Sequence, residues 1–337
     1  MTLFSSSMLF RWSVLALSLV CLIIAFTASI AFGQYAIPLK HVWSAFWAFD
    51  PQSIDDVIIR TTRLSRAMVA CLVGSALAVS GVLMQALTRN SLASPSIFGV
   101  NAGAIFFIVL FSTFFSVTSL HSFLWLAFLG AAIAGSLVYG LGSLGRDGLS
   151  PVRIVLSGAA ISALFMAFTQ GMLVIGQEGL DSVLFWVAGS VSGRSLDMVT
   201  PLVPFFVVGI VLAILAAPHI NILLSGDDVA KGLGQNTIVI KVLLSVLIVG
   251  LAGGSVALGG NIGFIGLIVP HMARFMIGHD HKWLIPLSAL WGAVLLLCAD
   301  LLSRFVIMPE EVPIGVTTAI LGVPFFIYLA RKGGKRG

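Results

Sequence analysis

The chain has 337 residues, 59% of them hydrophobic and only 9% charged, with a formal net charge of +5 and a mean hydropathy of +1.11. Soluble globular chains carry about a quarter charged residues, so this composition excludes a soluble domain and describes a polytopic membrane protein. The cysteines, Cys21, Cys71 and Cys298, all fall in apolar stretches without CxxC or other metal spacing; they read as small packing residues.

Apolar segments of about 20 residues, long enough to cross a hydrocarbon core of roughly 30 Å as helices, recur along the whole chain. In order they predict about ten helices, over 12–33, 63–87, 92–112, 121–141, 151–175, 197–217, 237–256, 259–276, 284–306 and 313–330. The first, from Trp12 to Phe32, is longer than the apolar core of a signal peptide, about 7 to 15 residues, and reads as a retained helix even though TASIAFG offers small residues for cleavage. Pro270 breaks the eighth. Only short polar connections separate the spans. The expectation is therefore an all-α membrane protein forming a single polytopic domain over 1–337, with core helices over about 63–330 and a polar segment at about 218–236.

Ten helices put both termini on one side. The tail RKGGKR makes that side cytoplasmic by the excess of Lys and Arg on inner loops. The inner connections then hold Arg11, Arg89, Arg146, Arg153, Lys231, Lys241, Arg274, Lys282 and the tail, while Lys40, Arg60, Arg63, Arg66, Arg194 and Arg304 lie outside. The stretch RTTRLSR, residues 60–66, thus places three arginines on the outer face against the trend. They either snorkel to headgroups or, spaced i, i+3 and i+6 within an arc of roughly 120° on a helix, face one acidic ligand together. Sequence alone leaves both open.

Three motifs narrow the class. The segment GSALAVSGVLMQALTRNSLASPSIFGVNAGA, residues 74–104, combines the small residues Gly74, Ala78 and Gly81 with a polar turn from Gln85 to Asn90; small residues let helices approach closely in lipid. The loop GDDVAKGLGQN, residues 226–236, sets Asp227 and Asp228 in a first helical turn, where carboxylates suit the positive end of the helix dipole, and Gly232 and Gly234 where the chain must reverse. The third motif is GFIGLIVPHMARF, residues 263–275, followed by ADLLSR at 299–304 and EEVPIGVTTAILGVPFF at 310–326.

Together with Arg63-Leu64-Ser65-Arg66, these stretches resemble the FecCD family of ABC-transporter permeases, the membrane subunits of importers for iron siderophores, haem and vitamin B12. The likeness runs from about residue 60 to residue 330, with Ser65 and Ser91 standing where the family usually has proline. The resemblance implies a type II ABC importer permease fold in a bacterial cytoplasmic membrane. It implies that Arg63, Arg66 and Arg304 dock an extracytoplasmic substrate-binding protein or lipoprotein through its glutamates. It implies that Gly226, Asp227, Asp228, Val229, Ala230, Lys231, Gly232, Leu233 and Gly234 form the coupling segment seated in the ATP-binding cassette subunit. It places the inner gate near Asn90 and at Ser150 and Pro151, where Pro151 departs from the usual small hydroxyl residue, and the pathway between two permeases along the fifth and tenth spans.

The chain has no GxxxxGK[ST] phosphate loop. No catalytic role, directly bound cofactor or metal is expected; ATP and Mg belong to a dimer of partner ATPases. The other expected partners are a second permease, identical or paralogous, and a ferric siderophore, with haem or cobalamin as the alternative cargo and no nucleic acid. The alternative reading of Asp300 is that it simply neutralises Arg304, four residues on. His219, His271, His279 and His281 read as solvated or helix-break residues, and Glu178, Asp181, Glu310 and Glu311 as outer-loop solvation or partner contacts. An ion-coupled secondary transporter would need more intramembrane charge than Asp300 and Arg304. An intramembrane enzyme would need a nucleophile and base in register, and ranks last.

Overall fold

The computed structural model describes residues 7–35, 37–38, 41–42, 45, 47–115, 117, 119–144, 151–175, 186–308 and 310–333. Among them there is no β-strand, only an isolated bridge between Ile307 and Glu310. Seven helices are long and apolar enough to cross a membrane, and three shorter apolar helices join them. The chain is a multi-pass membrane protein. Its outer surface is correspondingly apolar, with Leu9, Trp12, Val174 and Phe275 among the large side chains left uncovered.

Helix α1 (Met8–Ala31) starts at Ser7, whose hydroxyl accepts from the Phe10 N–H at 3.3 Å. The central element is α2 (Leu64–Thr88), entered through a single turn Ile54–Val57 and a π-helical stretch Ile58–Arg63. It is buried along nearly its whole length because its residues are small. A Cβ on Gly74 would lie 2.3 Å from the Gly292 carbonyl oxygen, and one on Gly81 only 2.0 Å from that of Gly266. Glycine at both contacts lets backbones touch, which in lipid is the main source of helix association.

After α2 the chain makes the 3-10 turn Pro95–Phe98 and forms α3 (Val100–Phe115), α4 (Leu120–Ser143) and α5 (Pro151–Ile175). These pack as a group, with Phe106 of α3 stacked on Phe165 of α5 at 4.9 Å between ring centroids. Helix α6 (Val203–Leu224) follows, then the six-residue α7 (Asp227–Gly232) and α8 (Thr237–Gly259). The last three are α9 (Ile265–Ile277), α10 (His281–Ser303) and α11 (Ile314–Gly333). Helices α8, α9 and α10 wrap α2, and α1 lies on the outside against α10.

Three expectations change. The sixth span does not stop at residue 217: Pro218 is carried inside α6, which runs to Leu224, so the polar segment shortens to the turn around α7. Proline is tolerated within a spanning helix because neighbouring groups re-satisfy the freed carbonyl. Pro270 likewise sits inside α9, and the break falls earlier, at Gly260–Phe264, where Phe264 adopts a left-handed φ of 67°. His281 is buried rather than solvated, its ring Nδ1 lying 2.8 Å from Asn221 Oδ1.

The break lies deep in the bundle. Gly292 is the central residue of α10 and meets Gly74 of α2. Its neighbour Val73 lies against Gly259, the last residue of α8, with Cγ1 3.4 Å from where a Cβ on Gly259 would sit. Helix α8 therefore ends, and irregular backbone begins, level with the middle of α10.

Candidate functional site

The two ends of the bundle each hold a network of charges. At the end formed by the C-termini of α1 and α10 and the N-terminus of α2, Arg66 Nε donates to Asp300 Oδ1 at 2.7 Å. Its Nη1 reaches both carboxylate oxygens of Glu311, at 2.9 and 2.7 Å. Asp300 also pairs with Arg304 one turn along α10. Arg304 donates from Nη1 to the carbonyls of Ser29 and Phe32 at 2.7 and 2.9 Å. Arg63 donates to those of Ile30 and Ala31 at 3.0 and 2.7 Å, and also to Tyr35. The last carbonyls of a helix have no intrahelical partner, and here two arginines supply the donors for α1.

Arg63 and Arg66 are only 5% and 8% exposed, so Arg60, Arg63 and Arg66 do not form an open arc facing one ligand, and Arg304 is buried as well. The reason is local: the π-helical stretch carrying Arg60 and Arg63 abandons the 3.6-residue period on which that arc rests. Arg60 turns away, its Nε donating to the Ala45 carbonyl at 2.9 Å and its guanidinium stacked over Phe49. The neutralisation of Arg304 by Asp300 read from their four-residue spacing is present, and Arg66 and Glu311 extend it across three elements. Ser65, in the place of the family's proline, is buried and donates its hydroxyl to the Arg194 carbonyl.

At the opposite end, Arg89 caps α2 in a left-handed conformation. It donates to the Leu223 carbonyl at 3.0 Å and to Asp227 Oδ1 at 2.6 Å, while Lys241 Nζ donates to Asp227 Oδ2 at 2.6 Å. Asp227 thereby ties α7 to α2 and α8. The Lys241 hydrogen bond first, then the charges of Lys241 and Arg89, hold its carboxyl below the ordinary value. Asp227 and Asp228 occupy the first turn of α7, as read from the sequence. The reversal differs in detail: Gly226 (φ 119°) and Gly234 (φ 78°) take the positive angles, while Gly232 ends the helix itself.

Ala230 anchors α7 inward, whereas Val229, Lys231, Leu233 and Gly234 face out. With Val229 51%, Leu233 67% and the following Ile238 69% exposed, an apolar patch stands at a charged end of the molecule. Nearby, Asn221 donates from Nδ2 to Asp280 Oδ1 at 2.8 Å and Arg11 lies 3.6 Å from Asp280, drawing together α1, α6 and α10. Sequence reading missed a further link, in which Arg274 of α9 donates to Gln85 Oε1 and Gln85 Nε2 donates to the Gly266 carbonyl at 3.3 Å. Its one signal was the glutamine set in an otherwise apolar run.

Of the expected gate residues, Asn90 is exposed in the turn after α2, its Oδ1 accepting from the Leu92 N–H at 2.9 Å. Pro151 is the first residue of α5. Ser150, Glu178 and Asp181 lie outside the described residues, as do Lys40, Arg146 and the last residues of the basic tail.

The chain is similar to curated permeases over nearly its full length. It is 48% identical to the "Probable siderophore transport system permease protein YfiZ" of Bacillus subtilis (strain 168), over 96% of this chain and 97% of that protein. It is 39% identical to the ferric enterobactin transport system permease protein FepD of Escherichia coli (strain K12), over 95% of each. A solved metal-chelate type ABC transporter in an inward-facing conformation superposes with a TM-score of 0.83 at 29% identity, covering 95% of this chain and 99% of that one. The FecCD transport family matches residues 21–332. Helical architecture, the two charged ends and these similarities converge: the chain is a transport permease of the ABC-importer type and belongs to the FecCD transport family.

Proposed function

We propose that this protein is the permease subunit of a binding-protein-dependent ABC importer that carries a ferric siderophore across a bacterial cytoplasmic membrane, driven by ATP hydrolysis on a separate subunit. The whole chain acts as one permease unit, paired with a second permease, and both termini are cytoplasmic. The observation carrying this reading is α7: a short helix at one end of the bundle, with Val229 and Leu233 uncovered and Asp227 clamped to α2 and α8. Exposed apolar side chains rimmed by polar ones mark a protein contact, and a helix tied to two spanning helices transmits movement into them. Seated on a dimer of ATP-binding cassette subunits, it would convert nucleotide-driven closure into alternating access, with ATP and Mg held by the partner. The cargo is supported by the relatives, which include siderophore and ferric enterobactin permeases.

The arginine cluster receives the substrate-binding protein at the opposite end. Arg66 is the exchangeable member: its partner Glu311 is 36% exposed, while Asp300 is fully enclosed, so an incoming carboxylate can replace Glu311 without uncovering a buried charge. Arg63 and Arg304 hold the end of α1 and add positive field, which steers an acidic partner and hastens encounter. Co-purification with the ATPase subunit tests the coupling assignment. The intact complex should hydrolyse ATP faster with loaded binding protein, and Leu233→Asp should abolish that stimulation while leaving the permease in the membrane. Undiminished stimulation would refute the role of α7.

A further inference from the structure

The break between α8 and α9 carries a polar feature that neither the coupling helix nor the docking cluster uses. Asn261 sits in the break and is exposed; Asn101, one residue into α3, is partly exposed. Asn101 Nδ2 donates to Asn261 Oδ1 at 2.6 Å. One bond between two amides leaves an acceptor on Asn101 and donors on Asn261 for another molecule.

Depth gives this pair its meaning. Asn261 lies two residues past Gly259, which is level with the centre of α10. Uncovered amides at the middle of a bilayer cannot face hydrocarbon, where an unsatisfied polar group costs several kcal/mol. They must face water or protein. The backbone around them is irregular on both sides, with the turn ending at Gly99 before α3 and the break at 260–264 before α9, and non-helical backbone at this depth is tolerated where it lines a cavity. Phe264 holds its left-handed φ of 67° in the same break, a strain that persists where surrounding structure enforces it and that gathers at ligand clamps.

The neighbours are the two helices expected along the pathway. On one side Gly99 meets Ser162 of α5, whose Oγ lies 3.2 Å from where a Cβ would stand. On the other, Phe264 covers Gly322 of α11 so closely that a Cβ there would lie 2.3 Å from the ring. The backbone leading into Asn101 thus meets α5, and the break that carries Asn261 meets α11.

We infer that Asn101 and Asn261 form a mid-membrane contact for the cargo, an iron chelate rich in anionic or carbonyl oxygens, with the Asn261 amide donating to those oxygens as the chelate passes. Two permeases facing each other would present the contact twice. This rests on the importer reading above and assigns the place where cargo chemistry is sensed inside the membrane.

The test is radio-iron uptake by cells carrying the complete importer, presented as ferric citrate, a ferric trihydroxamate and a ferric tricatecholate. Asn101→Ala and Asn261→Ala should each lower uptake of the transported chelate about five- to tenfold at subsaturating concentration, the scale of one net hydrogen bond. The purified complex should keep its assembly by size exclusion and its binding-protein-stimulated ATPase. If an alanine variant is lost from the membrane, the isosteric Asn261→Asp serves, since replacing the donor by an acceptor should also depress uptake. Unchanged uptake by variants of a transporting wild type would overturn the amide contact alone. Loss of permease pairing in both alanine variants would overturn it in favour of a contact between copies. A wild type that transports none of the three chelates would overturn the cargo reading beneath it.

Discussion

The charge networks at the two ends of the bundle each centre on an aspartate held by two cations, and they differ in burial. At the α1–α10 end, Arg66, Asp300 and Arg304 have side chains 9%, 0% and 3% exposed. At the α7 end, Arg89, Asp227 and Lys241 are 44%, 35% and 17% exposed. A buried carboxylate shared by two arginines is costly to disturb, because removing it leaves two desolvated cations facing each other. An exposed one is screened and can be remade within a changing geometry. The first network therefore sets the relative positions of α1, α2 and α10, and the second joins elements that must shift together.

The sharpest way to break this contrast is Asp300→Ala. Uncompensated buried charge costs about 3–5 kcal/mol, and the variant should be depleted from the membrane fraction, measured by immunoblot and by thermal unfolding in detergent. Gly81→Leu comes next. With the Gly266 carbonyl in the place of its Cβ, overpacking of about 1–3 kcal/mol should lower the unfolding temperature while leaving both charge networks intact. Asp227→Asn should cost under about 1 kcal/mol, as for a screened surface pair. Because the folded carboxyl is held below its ordinary 3.8, its contribution is fully present above that value and fades as pH falls through the lower folded value. The difference from wild type should accordingly be flat from about pH 5 upward and shrink on acidification. Leu233→Asp should leave stability unchanged and still stop ATP-coupled uptake. A Leu233→Asp variant that unfolds, or an Asp300→Ala variant that accumulates normally, would erase the distinction between the two ends.

Much of the architecture was legible in the sequence because membrane crossing imposes a length and a composition, and both are local properties. Each predicted span from 12–33 to 313–330 overlaps a helix, although 92–112 and 259–276 begin in the irregular backbone ahead of α3 and α9, and the first turn of α7 was visible in Asp227 and Asp228. Partners were less legible. The spacing of Arg63 and Arg66 suggested a shared open face. Yet a π-helical turn, the unsatisfied carbonyls ending α1 and a glutamate 245 residues further along decide where those side chains go. Helix breaks were misplaced for a related reason: Pro270 is the strongest local signal, but the chain breaks at Gly260–Phe264, where tertiary packing against Trp186 and α11 decides the backbone. Asn101 and Asn261 lie 160 positions apart, and no local pattern joins them.

The most direct test of the central claim is radio-iron uptake on a panel of siderophores in cells with and without this gene, before and after ATP depletion that preserves the membrane potential. The account predicts loss of one siderophore's uptake in the deletion, restored by the gene and dependent on ATP. Gene-dependent uptake that survives ATP depletion would contradict it.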